Sequence, residues 1–282
     1  MEPRLQRRVQ RYGWDLAAPG YEGLWGAQLA GVQAALLAGA ALRPGERVLD
    51  LACGTGLVTL AAARAVAPSG HALGTDLSGE MVALAAQQAQ RQGVDNASFT
   101  RMDAEQLAVA DGSVDVVLCS LGLMYVPDPE RVLSEARRVL RPGGRLVVSV
   151  WGERARCGWA GVFGIVDAEV SSEVCPLFFR FGQAGALALL CAEAGLAPVD
   201  ERRLRSTLTY EDGGQACDAA LVGGPVALAW SRFDEATRER VRGRYLASIA
   251  PWRVGAGYAV PAEFVVLVAR APAAPEEPGV GP

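Results

Sequence analysis

One short stretch, Val48 to Leu57, constrains the fold of this chain more than any other. Residues 47–51 form an apolar run typical of a buried strand, and the apolar residues from 57 to 67 predict a helix. Gly54 and Gly56 lie between them. Glycine adopts backbone angles closed to other residues and lets the backbone approach a ligand. The stretch therefore predicts a ligand-binding turn between a strand and a helix.

The same stretch argues against a dinucleotide as that ligand. A dinucleotide-binding turn carries a third glycine, G-x-G-x-x-G, and counted from Gly54 that position holds Thr59. Asp50 stands at the end of the strand, where its carboxylate would repel a phosphate but would suit a cationic group. The turn therefore suits a nucleoside that carries an amino acid, and nicotinamide-dependent redox chemistry is disfavoured.

The segment Asp50 to Gly56 is similar to the first motif of the class I S-adenosylmethionine-dependent methyltransferases. Residues 72–78 resemble the second strand of that family, which ends in the acid that binds the ribose hydroxyls. Here that acid is Asp76, 22 residues beyond Gly54, near the spacing expected one strand–helix unit later.

Two more stretches match the family in order. Residues 101–105, which contain Asp103, resemble the end of the third strand, whose acid faces the adenine amino group. Residues 114–120 and 138–146 resemble the fourth strand, the end of its helix and the fifth strand. Each stretch taken singly also fits a purely structural role. The acids, however, are all predicted at the carboxyl ends of successive strands, and ligands of open α/β sheets bind outside those ends.

The resemblance implies S-adenosyl-L-methionine as the cofactor and no metal. The residues it implies at the cofactor are Asp50, Ala52, Gly54, Gly56, Asp76, Leu77, Met81, Asp103, Ala104 and Ser120. An aromatic cluster before the first strand resembles the N-terminal lid of many small-molecule methyltransferases, and a plain contact of these rings with the sheet is the alternative. Its members are Tyr12, Trp14, Tyr21 and Trp25, of which we expect the first three to bind the cofactor.

The order of predicted elements gives the fold class: α/β, a Rossmann-like, mostly parallel sheet of seven strands with helices on both faces, an N-terminal lid and helical insertions. We predict strands at 47–51, 72–76, 98–102, 114–119 and 145–151, then at 198–210 and 262–270, the last inserted antiparallel. We predict helices at 2–11, 24–42, 57–67, 79–92, 129–140, 159–170 and 183–194, with a break at 12–15 and mostly helix over 215–249.

These elements divide the chain into functional segments. Residues 1–42 form the lid, and 43–151 the S-adenosylmethionine-binding core. Residues 152–181 form an aromatic insertion that caps the acceptor side or has its own small core. Residues 182–271 complete the core with a helical insertion at 211–256, and the Pro-rich and Ala-rich residues 272–282 form a disordered tail.

Composition limits the partners. The net charge is −4 and no basic stripe indicates nucleic acid. No apolar run reaches the roughly 18 residues of a membrane span, and the charged N-terminus does not resemble a signal peptide, so we expect a cytoplasmic protein.

The six cysteines form no C-x-x-C pair and are expected to be reduced, although a metalloid-methylating enzyme would use three of them. His71, the single histidine, is expected at the surface.

The acceptor is predicted only by class. Tyr125 follows the fourth strand where many relatives carry a histidine, so we expect it to orient the acceptor as the catalytic residue. The favoured function is methyl transfer to a small, apolar or aromatic metabolite. A quinone-ring C-methyltransferase of ubiquinone or menaquinone type and a non-catalytic S-adenosylmethionine-binding partner subunit are the alternatives. The sequence leaves the oligomeric state open.

Overall fold

A computed structural model describes residues 2–170, 175 and 177–273 of the chain. Its strands run in chain order as follows: β1 Arg47–Leu51, β2 His71–Asp76, β3 Ala97–Arg101, β4 Val114–Ser120, β5 Leu140–Trp151, β6 Ala197–Tyr210, β7 Arg253–Val254 and β8 Gly257–Arg270. The α-helices are α1 Pro3–Ala40, α2 Leu57–Val66, α3 Gly79–Arg91, α4 Pro129–Val139, α5 Gly161–Val170, α6 Ala186–Glu193, α7 Gly213–Cys217, α8 Ala227–Arg232 and α9 Glu235–Ile249.

The sheet has the strand order β3-β2-β1-β4-β5-β8-β6, with the short β7 paired to β8. The first five strands of that order are parallel, and β8 runs antiparallel between β5 and β6. This confirms the predicted Rossmann-like sheet with its last long strand inserted antiparallel. Because β1 to β5 are parallel, their carboxyl ends lie along one edge, where a ligand is expected.

The predicted helices and strands of the core agree with the structure to within a few residues. Two boundaries differ more. β5 begins at Leu140 rather than 145 because Leu140 already pairs with Val114 of β4, and β8 begins at Gly257 rather than 262 because residues 258–261 pair with β6. The tail predicted to be disordered lies, from residue 274 on, outside the described residues.

The predicted break near residues 12–15 is wrong, because α1 is one helix of 38 residues. Its buried positions continue through that segment at helical spacing, as with Gln6, Gln10, Gly13 and Ala17. The helix therefore keeps one face against the protein, and packing outweighs the weak helix propensity of Gly13. No helix in the described ranges is long and apolar enough to span a membrane.

A partly buried ion pair fixes the C-terminal end of α1 to the sheet. Arg145 of β5 donates from Nη1 and Nη2 to the two carboxylate oxygens of Glu46, at 2.8 and 2.7 Å. The same guanidinium also donates to the backbone carbonyls of Ala40 and Ala41. Burial raises the pKa of Glu46, but the hydrogen bonds from Arg145 and from the Arg43 N–H outweigh it, so this pKa lies below its usual value.

Replacing Arg145 by Gln should therefore lower the free energy of unfolding by about 2 kcal/mol at pH 7, since Glu46 would lose its charged partner. A depressed carboxyl pKa stabilises the fold above the unfolded-state value of 4.5, and this stabilisation is lost as the pH falls through the folded-state pKa. Urea unfolding at pH 7 and pH 3 should show a difference between wild type and Arg145→Gln that shrinks on acidification. A difference of equal size at both pH values would contradict the role of Glu46.

Candidate functional site

A cavity opens at the carboxyl ends of β1, β2 and β4, beneath the N-terminal half of α1. Its empty volume is about 1000 Å³, including the mouth. Most of the predicted site residues line it: Trp14, Tyr21, Ala52, Gly54, Asp76, Leu77, Met81, Asp103, Ala104, Ser120 and Tyr125. The topology thus brings side chains from distant parts of the sequence to one end of the sheet.

The turn after β1 is held by the end of β2. Gly54 has a φ of +55° and donates its N–H to Asp76 Oδ2 at 2.9 Å. Asp76 Oδ1 accepts from the Ser78 N–H, also at 2.9 Å. A carboxylate offers about four lone-pair directions, so Asp76 keeps capacity for further donors such as ribose hydroxyls. Burial raises the pKa of Asp76, and these backbone N–H groups oppose that rise.

Gly56 plays a different part from the one predicted. It does not line the cavity but precedes α2 with a φ of +86°. A Cβ there would lie 3.0 Å from the Ala85 Cβ and 3.0 Å from the Phe99 ring. A glycine is therefore needed at this position for backbone angle and for packing against neighbouring elements rather than for ligand contact.

The loops that follow β1 and β4 touch beneath the cavity. Ala52 and Leu121 both have positive φ, +52° and +57°, which residues with a side chain rarely adopt. A Cβ on Gly122 would lie 2.5 Å from the Ala52 Cβ. Strain of this kind persists only where the surroundings enforce it and is common at functional sites. Both residues line the cavity.

Asp50 lies in a smaller cleft that adjoins the cavity and shares Tyr21, Ala52 and Ser120 with it. Its Oδ2 accepts from the Thr59 hydroxyl at 2.6 Å. Its Oδ1 is buried and has no hydrogen-bond partner within the described ranges. Burial raises the pKa of Asp50 to about 7, and the Thr59 bond opposes the rise.

Asp103 has a partner that the sequence did not indicate. Arg7 of α1 lies with its Nε 3.1 Å from Asp103 Oδ2 and also pairs with Glu105, whose side chain is buried. Both Arg7 and Glu105 line the cavity. The sequence around Arg7 does not indicate this contact, because Arg7 and its acidic partners lie about a hundred residues apart in the chain.

The N-terminal half of α1 covers the cavity through further contacts. Asp15 Oδ1 accepts from the Ser78 hydroxyl at 2.6 Å, next to Asp76. Trp14 packs edge-on against Tyr21 and Tyr125, with ring centroids 5.8 and 5.1 Å apart. These contacts place α1 where a lid is expected.

Tyr12 is not at the site, contrary to the prediction. Its side chain is 45% exposed, and the Arg11 guanidinium lies 5.0 Å from the ring centroid. Because successive helical residues are about 100° apart, Tyr12 and Trp14 point to opposite sides of α1. The prediction rested on the resemblance of the aromatic cluster to a lid, which does not fix the side of the helix on which each ring lies.

Several cavity residues were missed by sequence reasoning. Trp25 was predicted only as a lid aromatic; it lies in the core with its Nε1–H bonded to the Ala219 carbonyl at 3.1 Å. The remaining unpredicted lining residues include Gln10, Leu29, Met102, Leu121, Gly122, Val126, Pro127, Trp151, Trp159, Gly224 and Pro225. Gly224 and Pro225 belong to the helical insertion, so that segment does reach the cavity.

The aromatic rings of the insertion pack together as part of the main hydrophobic core. Phe163, Phe178 and Phe179 contact one another, with Phe163 and Phe178 centroids 4.5 Å apart. Phe178 also packs against Tyr125 at 5.4 Å, so the cluster supports one wall of the cavity. Within the described part of the insertion, only Trp159 lines the cavity.

His71 and the cysteines have no place in the cavity. His71 is exposed at the start of β2 and lies 2.8 Å from the Ser98 hydroxyl, at the opposite end of the strand from Asp76. All six cysteines are free thiols, and five of them are buried. Within the described ranges, no three His, Cys, Asp or Glu side chains form a group that could hold a metal ion.

Residues 42–171 match the family model of a methyltransferase domain. These 130 residues, under half of the chain, are thus similar to a methyltransferase domain. Over 110 residues it is 40% identical to an arsenite methyltransferase of Halobacterium salinarum, an alignment that covers 39% of this chain and 28% of the relative. Over 106 residues it is 36% identical to a demethylmenaquinone methyltransferase of Bacillus cytotoxicus, covering 38% and 45%. The chain thus spans less than half the length of these curated relatives.

Solved structures share the fold. A putative methyltransferase from Bacillus halodurans matches with a TM-score of 0.61 and 21% identity over 85% of this chain and 98% of its own. The [4+2]-cyclase SpnF matches with a TM-score of 0.63 and 20% identity over 95% and 97%. These similarities establish the architecture of the chain. The reaction has to be inferred from the residues of the cavity.

S-adenosylmethionine, the cofactor that the resemblance to class I methyltransferases implies, fits the residues present. The unpartnered Oδ1 of Asp50 is an acceptor for the ammonium of its amino acid. Asp76 has lone pairs left for ribose hydroxyls, and Asp103 lines the cavity, where its carboxylate would accept from the adenine amino group. We propose these three roles on the geometry just described.

Substitution of Asp76 by Ala should weaken binding of S-adenosylhomocysteine at least about tenfold, because charge-assisted hydrogen bonds to the ribose would be lost. The Gly54 and Ser78 N–H groups would lose their acceptor too, so a modest loss of thermal stability should accompany it. Calorimetric titration, with circular dichroism as a control for folding, measures both. Unchanged affinity in a folded variant would remove Asp76 from the site.

The Asp50 pKa of about 7 predicts a pH dependence of binding. An ammonium pairs best with the ionised carboxylate, so affinity for S-adenosylhomocysteine should rise up to about tenfold from pH 6 to pH 8 and then level off. The Asp50→Asn variant should bind more weakly and without this slope. A slope of equal size in wild type and Asp50→Asn would assign the titration to another group.

Proposed function

We propose that this methyltransferase transfers a methyl group from S-adenosylmethionine to a small, uncharged, apolar or aromatic acceptor. The observation that carries the proposal is the aromatic wall of the cavity beside the donor-binding acids. Trp14, Tyr125, Trp151 and Trp159 line it. Aromatic side chains bury large apolar areas and stack against planar ligands, so this wall favours a ring compound.

The protein would act mainly by positioning. S-adenosylmethionine, when bound, supplies the electrophilic methyl group. Asp50, Asp76 and Asp103 would fix the donor, while the aromatic wall holds the acceptor and α1 keeps water out. Holding the reacting atoms a little over 3 Å apart and in line is worth up to about 7–11 kcal/mol of the barrier.

Tyr125 is suited to orient the acceptor rather than to remove its proton. Burial raises the pKa of Tyr125 far above its usual value, so its hydroxyl stays protonated and serves as a hydrogen-bond donor. In this proposal the carboxylates of Asp50, Asp76 and Asp103 hold the donor, and that of Glu105 pairs with Arg7, so none of them is left to act as a base for the acceptor. We therefore expect an acceptor atom that is nucleophilic without a protein base.

A quinone-ring acceptor is a second candidate, since a hydroquinone ring carbon is electron-rich and fits an aromatic wall. Relatives named as quinone-pathway methyltransferases support it, although the aligned 106–108 residues cover under half of them. An arsenite acceptor has weaker support, because no group of three metal-binding side chains occurs in the described ranges. A partner subunit without activity remains the alternative if no acceptor is methylated.

The test is transfer of a labelled methyl group from S-adenosylmethionine to a panel of acceptors: phenols, hydroquinones, aromatic amines and arsenite. We expect label in an apolar ring compound. Tyr125→Phe keeps the ring contacts with Trp14 and Phe178 and removes only the hydroxyl, so kcat should fall about tenfold while the Kd for S-adenosylhomocysteine stays unchanged. If the Tyr125→Phe variant lost as much affinity for S-adenosylhomocysteine as it lost in kcat, Tyr125 would be assigned to the donor instead. Transfer of the labelled methyl group to arsenite alone would reject the aromatic acceptor.

A further inference from the structure

The smaller cleft beside the main cavity is lined by polar groups that the protein leaves without partners. Its empty volume is about 350 Å³, and its walls include Gln33 of α1 and Thr55 as well as Asp50. Oδ1 of Asp50 and Oγ1 of Thr55 are buried and have no hydrogen-bond partner in the part of the chain that the structure describes. The half-buried side chain of Gln33 likewise makes no hydrogen bond to any described residue.

The cleft also faces the N-terminus of α2, because Leu57 and Val58 of its first turn line it. No side chain caps this ten-residue helix, whose preceding residue is Gly56. The first N–H groups of a helix and its dipole attract an anion. With the Thr55 hydroxyl, they make an anion site.

Anion and cation sites thus lie side by side. The Asp50 carboxylate attracts a cation, whereas α2 and Thr55 attract an anion. An α-amino acid carries both charges on one carbon, so the cleft suits its zwitterion. The Gln33 amide can donate to the carboxylate from the side of α1.

We propose that Gln33 is a positioning residue that sets the affinity for the amino acid end of the methyl donor by donating its amide N–H to the donor carboxylate. The inference rests on the proposed function for the identity of the donor. It extends the donor site along α1 to a position near the other end of this helix from Arg7. Gln33 lies outside the matched domain of residues 42–171. A nucleoside without the amino acid would not engage this residue.

The test is calorimetric titration with two nucleosides that share adenine and ribose: S-adenosylhomocysteine, which carries the amino acid, and 5′-methylthioadenosine, which lacks it. Gln33→Ala should bind S-adenosylhomocysteine about tenfold more weakly, as expected for a lost hydrogen bond to a charged group, and 5′-methylthioadenosine as wild type does. Gln33→Glu should lose more, because two carboxylates would face each other. Alanine favours helix, so folding of α1 is preserved.

Gln28→Ala is the matched control on the same helix. Its amide oxygen accepts from the Thr209 N–H at 3.0 Å, so it is engaged with β6 and should affect stability but neither affinity. Unchanged affinity of Gln33→Ala for S-adenosylhomocysteine, or an equal loss for both nucleosides, would overturn the role of Gln33. Failure of wild type to bind either nucleoside would instead overturn the proposed function itself.

Discussion

The hydrogen bond from the Gly54 N–H to Asp76 joins the ends of β1 and β2, and the site depends on it. It fixes the turn whose next residues begin α2, and it orients the carboxylate that faces the cavity. The positive φ of Gly54 turns the chain onward from this bond towards α2, and glycine adopts that φ without a steric cost. The shape of the turn and the chemistry of the acid are therefore specified together.

The long helix α1 unites parts of the site that the sheet leaves apart. Arg7 contacts Asp103, Asp15 contacts Ser78, and Tyr21 lies near Gly54. Pro19 lies inside this helix and has no N–H for its internal hydrogen bonds. A shift of the residues before Pro19 would change the Arg7 and Asp15 contacts together, while Tyr21 follows that position. The lid role predicted for residues 1–42 remains a proposal, but Trp25 in the core shows that the second half of α1 belongs to the body of the fold.

Sequence reasoning predicted the sheet well because its signals are local. Buried parallel strands produce short apolar runs, and an acid such as Asp76 is the last residue of its strand, so strand ends and site acids are found together. The helix break near residues 12–15 failed because tertiary packing, rather than local propensity, decides whether a helix continues through Gly13. The placement of Tyr12 failed because the resemblance to a lid does not fix the side of the helix on which each ring lies. The Arg7 pair with Asp103 and the Trp159 wall could not be predicted, since they depend on how segments distant in sequence meet.

The two halves of the site differ in where they come from in the chain. The acids proposed to bind the donor, Asp50, Asp76 and Asp103, all lie within the matched domain, at strand ends whose geometry the sheet fixes. The cavity wall proposed for the acceptor also includes Trp14 before that domain and Pro225 after it. A donor of one structure needs one fixed arrangement of polar groups, whereas an acceptor is selected largely by the shape of an apolar wall. Changes in α1 and in the insertion before β8 can therefore alter which acceptor fits while the donor site stays intact, and that separation explains why similarity confined to the domain identifies the donor but leaves the acceptor open.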